Sequence, residues 1–201
     1  VVGIPKVYED YRTMLDEEQF DIVIVCCENA RHGEVVAEVA AKGANVVVEK
    51  PMATTYNDAL KMVRAAKNHN IGLAINWPST WQPVIREAHK LVANGEIGDV
   101  WKFRYSNAMS LGPLEHGQVV SDMEKGAEWW HQKKMGGGAY LDYCSYGACL
   151  SRWYIGQPAV GTYGLTANFL STYGDAEDNG VVVARFPKAV AILEGSWTTP
   201  H

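Results

Sequence analysis

The sequence predicts two architectures in succession: an α/β portion built on a parallel sheet, then an α+β portion with a mainly antiparallel sheet. The first is predicted by three short apolar runs, Asp21-Ile22-Val23-Ile24-Val25-Cys26-Cys27, Asn45-Val46-Val47-Val48-Glu49 and Gly72-Leu73-Ala74-Ile75-Asn76. Amphipathic stretches separate them at about 25-residue spacing, the period of strand–helix–strand units. The second is predicted by a change of pattern after Trp77-Pro78, where Val100-Trp101-Lys102-Phe103-Arg104-Tyr105 alternates like a strand with one exposed face. Turn signals at Gly174-Asp175 and Pro187-Lys188 then divide 159–197 into three further strands.

Taken in order, residues 5–20 predict a short helix with Tyr8, Tyr11, Met14 and Leu15 on one stripe and Pro5 near its start. The run at 21–27 reads as a buried strand. A helix over 32–42 follows, with Val35, Val36, Val39 and Ala40 inward and Gly43 at its end. The run at 45–49 is too short and apolar for a helix and is expected to be buried on both faces. Thr55 and Asp58 form a variant capping box that starts a helix running to about residue 69, with Leu60, Val63, Ala65 and Ala66 inward. In the second half, 83–94 predicts an amphipathic helix closed by Gly95. About 25 residues from Met109 predict a long loop, and loops of that length are commonly binding loops or lids. Gly136-Gly137-Gly138 opens a helix through about residue 154.

Composition excludes several classes. A net charge of -5, with both signs interspersed, provides no basic patch for nucleic acid and no polybasic membrane anchor. No apolar run approaches the ~20 residues of a membrane span, and no signal peptide is visible. Cys26, Cys27, Cys144 and Cys149 lack Cys-x-x-Cys spacing, which favours reduced packing cysteines in a cytoplasmic protein over a disulfide framework or a metal centre.

Three segments bear on chemistry. Glu49-Lys50-Pro51 leaves a parallel strand at its carboxyl end, the edge that rims the ligand crevice in open α/β sheets, so the Lys50 ammonium is placed for a site. The turn Cys27-Glu28-Asn29-Ala30-Arg31-His32 lies at the exit of the preceding strand and the mouth of a helix, where backbone groups contact nucleotides. In Gly136-Gly137-Gly138-Ala139-Tyr140-Leu141-Asp142-Tyr143-Cys144-Ser145-Tyr146, Asp142 and Tyr146 are four apart and share a helix face. A carboxylate and a phenol side by side, with a lysine from another element, make a proton-transfer group.

Together these segments resemble the glucose-fructose oxidoreductase / inositol dehydrogenase (Gfo/Idh/MocA) family, enzymes that use NAD or NADP on sugars, polyols and related compounds. The likeness runs from Asn29 and His32 through Glu49-Lys50-Pro51 and Ile97-Gly98 to Gly136-Gly137-Gly138 and Asp142. It implies a partial Rossmann domain over 1–77 and a substrate-binding and oligomerisation domain over 78–201, incomplete at its C-terminus. It further implies a cis proline at Pro51, cofactor contacts from Cys27, Glu28, Asn29, His32, Glu49, Lys50 and Pro51, and catalysis by Lys50, Tyr146 and Asp142. Tyr146 stands where many members carry histidine, matching the subset with a tyrosine acid/base. Cys149 and Thr80-Trp81-Gln82-Pro83 also depart from the usual pattern, and the family's Gly-x-Gly-x-x-Gly fingerprint is absent. That absence, with Val1 in place of Met, is expected of a fragment.

Within the predicted lid, Trp129, Trp130, His116 and His131 are candidate substrate contacts, the tryptophans either stacking on a sugar face or pinning the loop. The expected reaction is hydride transfer between nicotinamide and a carbinol carbon, with Tyr146 taking the hydroxyl proton and Lys50 favouring the phenolate. A non-catalytic NAD(P)-binding sensor on the same scaffold is the alternative. The resemblance also implies a homodimer or homotetramer paired through the open face of the second sheet.

Overall fold

The computed structural model describes residues 3–108, 121–171 and 173–199, which fall into two compact units, 1–27 with 31–76 and 28–30 with 77–201. In the first unit a three-stranded parallel sheet has the order β1 (Ile22–Val25), β2 (Asn45–Glu49), β3 (Leu73–Asn76). Register pairs Val25 with Val48 and Val48 with Ile75, so all three strands end on one edge. Helices α2 (His32–Ala41) and α3 (Tyr56–Asn68) make the crossovers. Because consecutive right-handed crossovers in the order 1-2-3 place both helices on one face, α2 and α3 pack on each other. Gly33 admits Asp58 there: an added Cβ would lie 3.1 Å from the Asp58 Cβ.

The core of this unit joins Val35, Val36 and Val39 of α2 to Val46 and Val48 of β2, with Met62 fully buried from α3. Met62, rather than the predicted Leu60, Val63 and Ala65, is the deepest side chain of its helix; those three are half-buried. Burial on both faces is not observed either. Ile22 and Ile24 are 58% and 68% exposed and Val47 is half-buried, because among the described residues helices cover one face of the sheet alone. The first helix, α1 (Tyr11–Glu17), is shorter than the predicted 5–20: Asp10, in extended conformation, accepts from the backbone N–H of Arg12 and Thr13 and starts it there. Thr55 caps α3 as expected, accepting from Asp58 N.

In the second unit, α4 (Pro78–Trp81) and α5 (Pro83–Ala93) precede strand β4 (Lys102–Ala108). With β5 (Gly161–Ala167), β6 (Asn179–Arg185) and β7 (Val190–Ser196) it forms a sheet of order β4-β7-β6-β5. The β4–β7 pair is parallel and the others are antiparallel. The strand predicted at 100–105 starts two residues later. Val182, Ala184, Ala191 and Leu193 line the inner face with Phe103 and Tyr105. Over that face lie α7 (Ser145–Ile155) and the helical turn before it. The other face shows Tyr163, Leu165, Val181 and Val183 to solvent.

The predicted lid is helical where it is described. Helix α6 (Asp122–Ala127) is followed by short 3₁₀ turns at Trp129–His131 and Lys133–Met135. A capping box between Ser121 and Glu124 starts α6, a signal that lay unread in the sequence.

Candidate active site

At the carboxyl edge of the parallel sheet, Glu49 is clasped from both sides. Asn76 Nδ2 donates to its Oε1 at 2.6 Å, joining the ends of β3 and β2, and the backbone N–H of Lys50 lies 3.3 Å from its Oε2. The Lys50–Pro51 peptide is cis, as the family resemblance implies. His32 secures the same turn from beneath: its Nδ1 lies 3.0 Å from Pro51 O and its Nε2 3.1 Å from Cys27 O. The imidazole therefore spans the exits of β1 and β2. Expected at the cofactor, His32 is instead fully buried with both ring nitrogens facing main-chain carbonyls, which corrects its predicted place. Lys50 itself is half-buried.

Asn29 is also buried, and its amide donates to Gly136 O at 2.8 Å, tying residues 28–30 to the glycine triplet of the second unit. Cys27 and Glu28 are half-buried.

The glycine triplet works by letting main chain approach. A Cβ on Gly137 would overlap the carbonyl oxygen of Trp130, and one on Gly138, at φ 111°, would overlap the Glu177 carboxylate. Beyond it, Tyr140–Cys144 winds as a π-helical turn that runs directly into α7. Gly180 and Gly195 seat this turn on the sheet, since a Cβ there would lie 3.0 Å from Tyr140 Cβ and 2.8 Å from Ala139 O. The predicted ordinary helix face for Asp142 and Tyr146 is thus replaced by a widened turn at Asp142, a frequent device at functional sites.

Asp142 and Tyr146 are half-buried. Trp197 Nε1 donates to Asp142 Oδ2 at 3.2 Å, and the Tyr146 ring meets Trp77 edge-on at 6.0 Å. Two more phenols share the region. Burial pushes Tyr105 up to about 12, with Tyr146 and Asp142 adding to it, and burial with Asp142 does the same to Tyr143. Both stay protonated at ordinary pH. The thiol of Cys149, three residues after Tyr146, is likewise pushed up by burial.

The aromatic candidates divide. Trp129 and Trp130 stack on each other at 3.7 Å, and Trp130 packs against the cluster of Ala139, Tyr143 and Trp197. That favours pinning over a free platform. His131, expected at substrate, is buried edge-on to Tyr173 and Trp197 at 4.9 and 5.3 Å. His116 lies outside the described residues. Trp197, Glu177 and Tyr105 escaped the sequence reading, although a tryptophan directly after an alternating strand was a usable signal for the first. No cluster of three His, Cys, Asp or Glu side chains suited to a metal occurs among the described residues.

Residues 85–201 match the family described as the GFO/IDH/MocA C-terminal domain, and 1–76 match the oxidoreductase family with NAD-binding Rossmann fold. The chain belongs to the GFO/IDH/MocA family. Trans-1,2-dihydrobenzene-1,2-diol dehydrogenase of Xenopus laevis is 29% identical over 144 residues, 72% of this GFO/IDH/MocA chain and 40% of the relative. Levoglucosan dehydrogenase of Pseudarthrobacter phenanthrenivorans is 26% identical over 158 residues, 77% of this chain and 38% of the relative. The crystal structure of GenD2 from gentamicin A biosynthesis in complex with NAD superposes with a TM-score of 0.83 at 31% identity, covering 98% of this chain and 53% of that one. The chain therefore spans about half the length of that structure and less of the two dehydrogenases.

Proposed function

We propose that the protein is an NAD(P)-dependent dehydrogenase that oxidises a carbinol carbon of a sugar, polyol or related alcohol. The observation that carries this reading is the built turn at Lys50. Glu49, Asn76 and His32 fix the main chain on either side of one half-buried lysine at the carboxyl edge of a parallel sheet. A strand-exit edge of this kind fits a dinucleotide, and the exits of β1 and β2 would hold its nicotinamide end through Cys27, Glu28, Glu49, Lys50 and Pro51. The nicotinamide, when bound, supplies or accepts the hydride.

The remaining steps belong to side chains. Tyr146 takes the proton of the substrate hydroxyl, and the Lys50 ammonium favours the phenolate that results. Asp142 holds a substrate hydroxyl or the lysine in register. The relatives named above, dehydrogenases of a dihydrodiol and of an anhydrosugar, support an alcohol of this class. Four cysteines with no disulfide between them among the described residues support a reducing, cytoplasmic setting. The uncovered apolar sheet face bearing Tyr163, Leu165, Val181 and Val183 supports a homodimer or homotetramer, to be read by sedimentation.

The test is the absorbance of reduced nicotinamide when the intact natural protein meets NAD or NADP and a panel of sugars, polyols and cyclic diols. Turnover of at least one alcohol is expected; tight cofactor binding with no turnover across the panel would favour a sensor instead.

A further inference from the structure

Trp197 is the largest fully buried side chain of the described residues, yet its indole reaches a half-buried carboxylate of the candidate site. It follows directly on β7, and its backbone N–H donates to Asp178 O at 2.8 Å. Asp178 is itself buried and accepts from the N–H groups of Phe169, Leu170 and Ser171, so the main chain at Trp197 is anchored to a fixed turn. The ring is wedged against Ala139 and Tyr143 and edge-on to the buried His131 ring at 5.3 Å. A ring held this way has a single polar atom, a donor, and that atom meets Asp142 Oδ2 at 3.2 Å.

The widened turn makes such a tether useful. Asp142 sits in a π-helical turn, where the side-chain direction is not set by the spacing of an ordinary α-helix. An indole N–H from the sheet below fixes one carboxylate oxygen and with it the rotamer. We propose that Trp197 is a positioning residue for the reaction: it acts through Asp142, holding that carboxylate in the orientation that serves the hydroxyl handled by Tyr146. The assignment rests on the dehydrogenase reading of Asp142.

Trp197→Phe keeps most of the buried ring and deletes the N–H. With the best alcohol of the panel, kcat should fall about 10- to 100-fold, the loss expected when a reacting group is misplaced rather than removed. Affinity for NAD(P)H should stay unchanged. In the Asp142→Leu background, Trp197→Phe should add no further loss, because both substitutions break the same link. In nitrogen-15 spectra the Trp197 indole N–H resonance should move on Asp142→Leu, as the loss of its acceptor requires. Wild-type kcat in Trp197→Phe, losses that multiply in the double variant, or an unmoved indole resonance would each overturn the inference alone. Full turnover in Asp142→Leu would instead overturn the reading on which it stands.

Discussion

The turn that carries Lys50 and the helix start that carries Asp142 and Tyr146 are built in opposite ways. At Lys50, polar side chains do the holding: Asn76 grips Glu49, and the His32 ring bridges the carbonyls of Cys27 and Pro51. At Asp142, the absence of side chains does it: Gly137, Gly138 and Gly195 let two carbonyls and a carboxylate approach closer than any Cβ permits, and Gly180 seats the helical turn where a Cβ would be tight. A strand exit needs only its last hydrogen bonds fixed, whereas a helix start laid across a sheet must first find room. The first kind of support fails by losing a donor, and the second by gaining a methyl group.

Gly137→Ala breaks the comparison at its most demanding point. The new Cβ meets the Trp130 main chain, which the 3₁₀ turn and the Trp129–Trp130 stack hold in place. We expect a loss of about 3 kcal/mol or more in denaturant unfolding, the range of a buried steric conflict, with the second unit's aromatic circular dichroism lost first. An unchanged midpoint would mean that the triplet is not a packing device.

His32→Leu sharpens the other side. It fills the buried space but leaves the Cys27 and Pro51 carbonyls without the ring, so a loss of about 2 kcal/mol is expected. Cofactor affinity should weaken with it, because the turn that presents Lys50 loosens. Stability equal to that of the natural protein would show that the two exits are held without the imidazole.

Much of this was legible in the sequence because it depends on local pattern. The apolar runs at 21–27, 45–49 and 72–76 are strands, the stripe of Val35, Val36, Val39 and Ala40 is buried, and the three strands after residue 159 are present. Where the reading failed, the deciding contact came from far along the chain. The spacing of Asp142 and Tyr146 cannot reveal a π-helical turn, because that turn depends on glycines in β6 and β7. His32 reads as a helix-mouth residue, and only the fold brings Pro51 O to its ring. Ile22 and Ile24 look like core, yet which sheet face is covered depends on crossover hand and strand order. The 121–135 stretch read as loop because its helices are single turns or little more, too short to show periodicity.

The most direct test of the central claim is Lys50→Met in the intact natural protein, with cofactor affinity and turnover measured on the same preparation. Turnover of the best alcohol is predicted to fall about 10²- to 10⁴-fold, the worth of a group acting in proton transfer, while NAD(P)H affinity falls far less, because the rest of the turn still holds the nicotinamide end. Turnover equal to that of the unsubstituted protein would contradict the account and remove Lys50 from the chemistry.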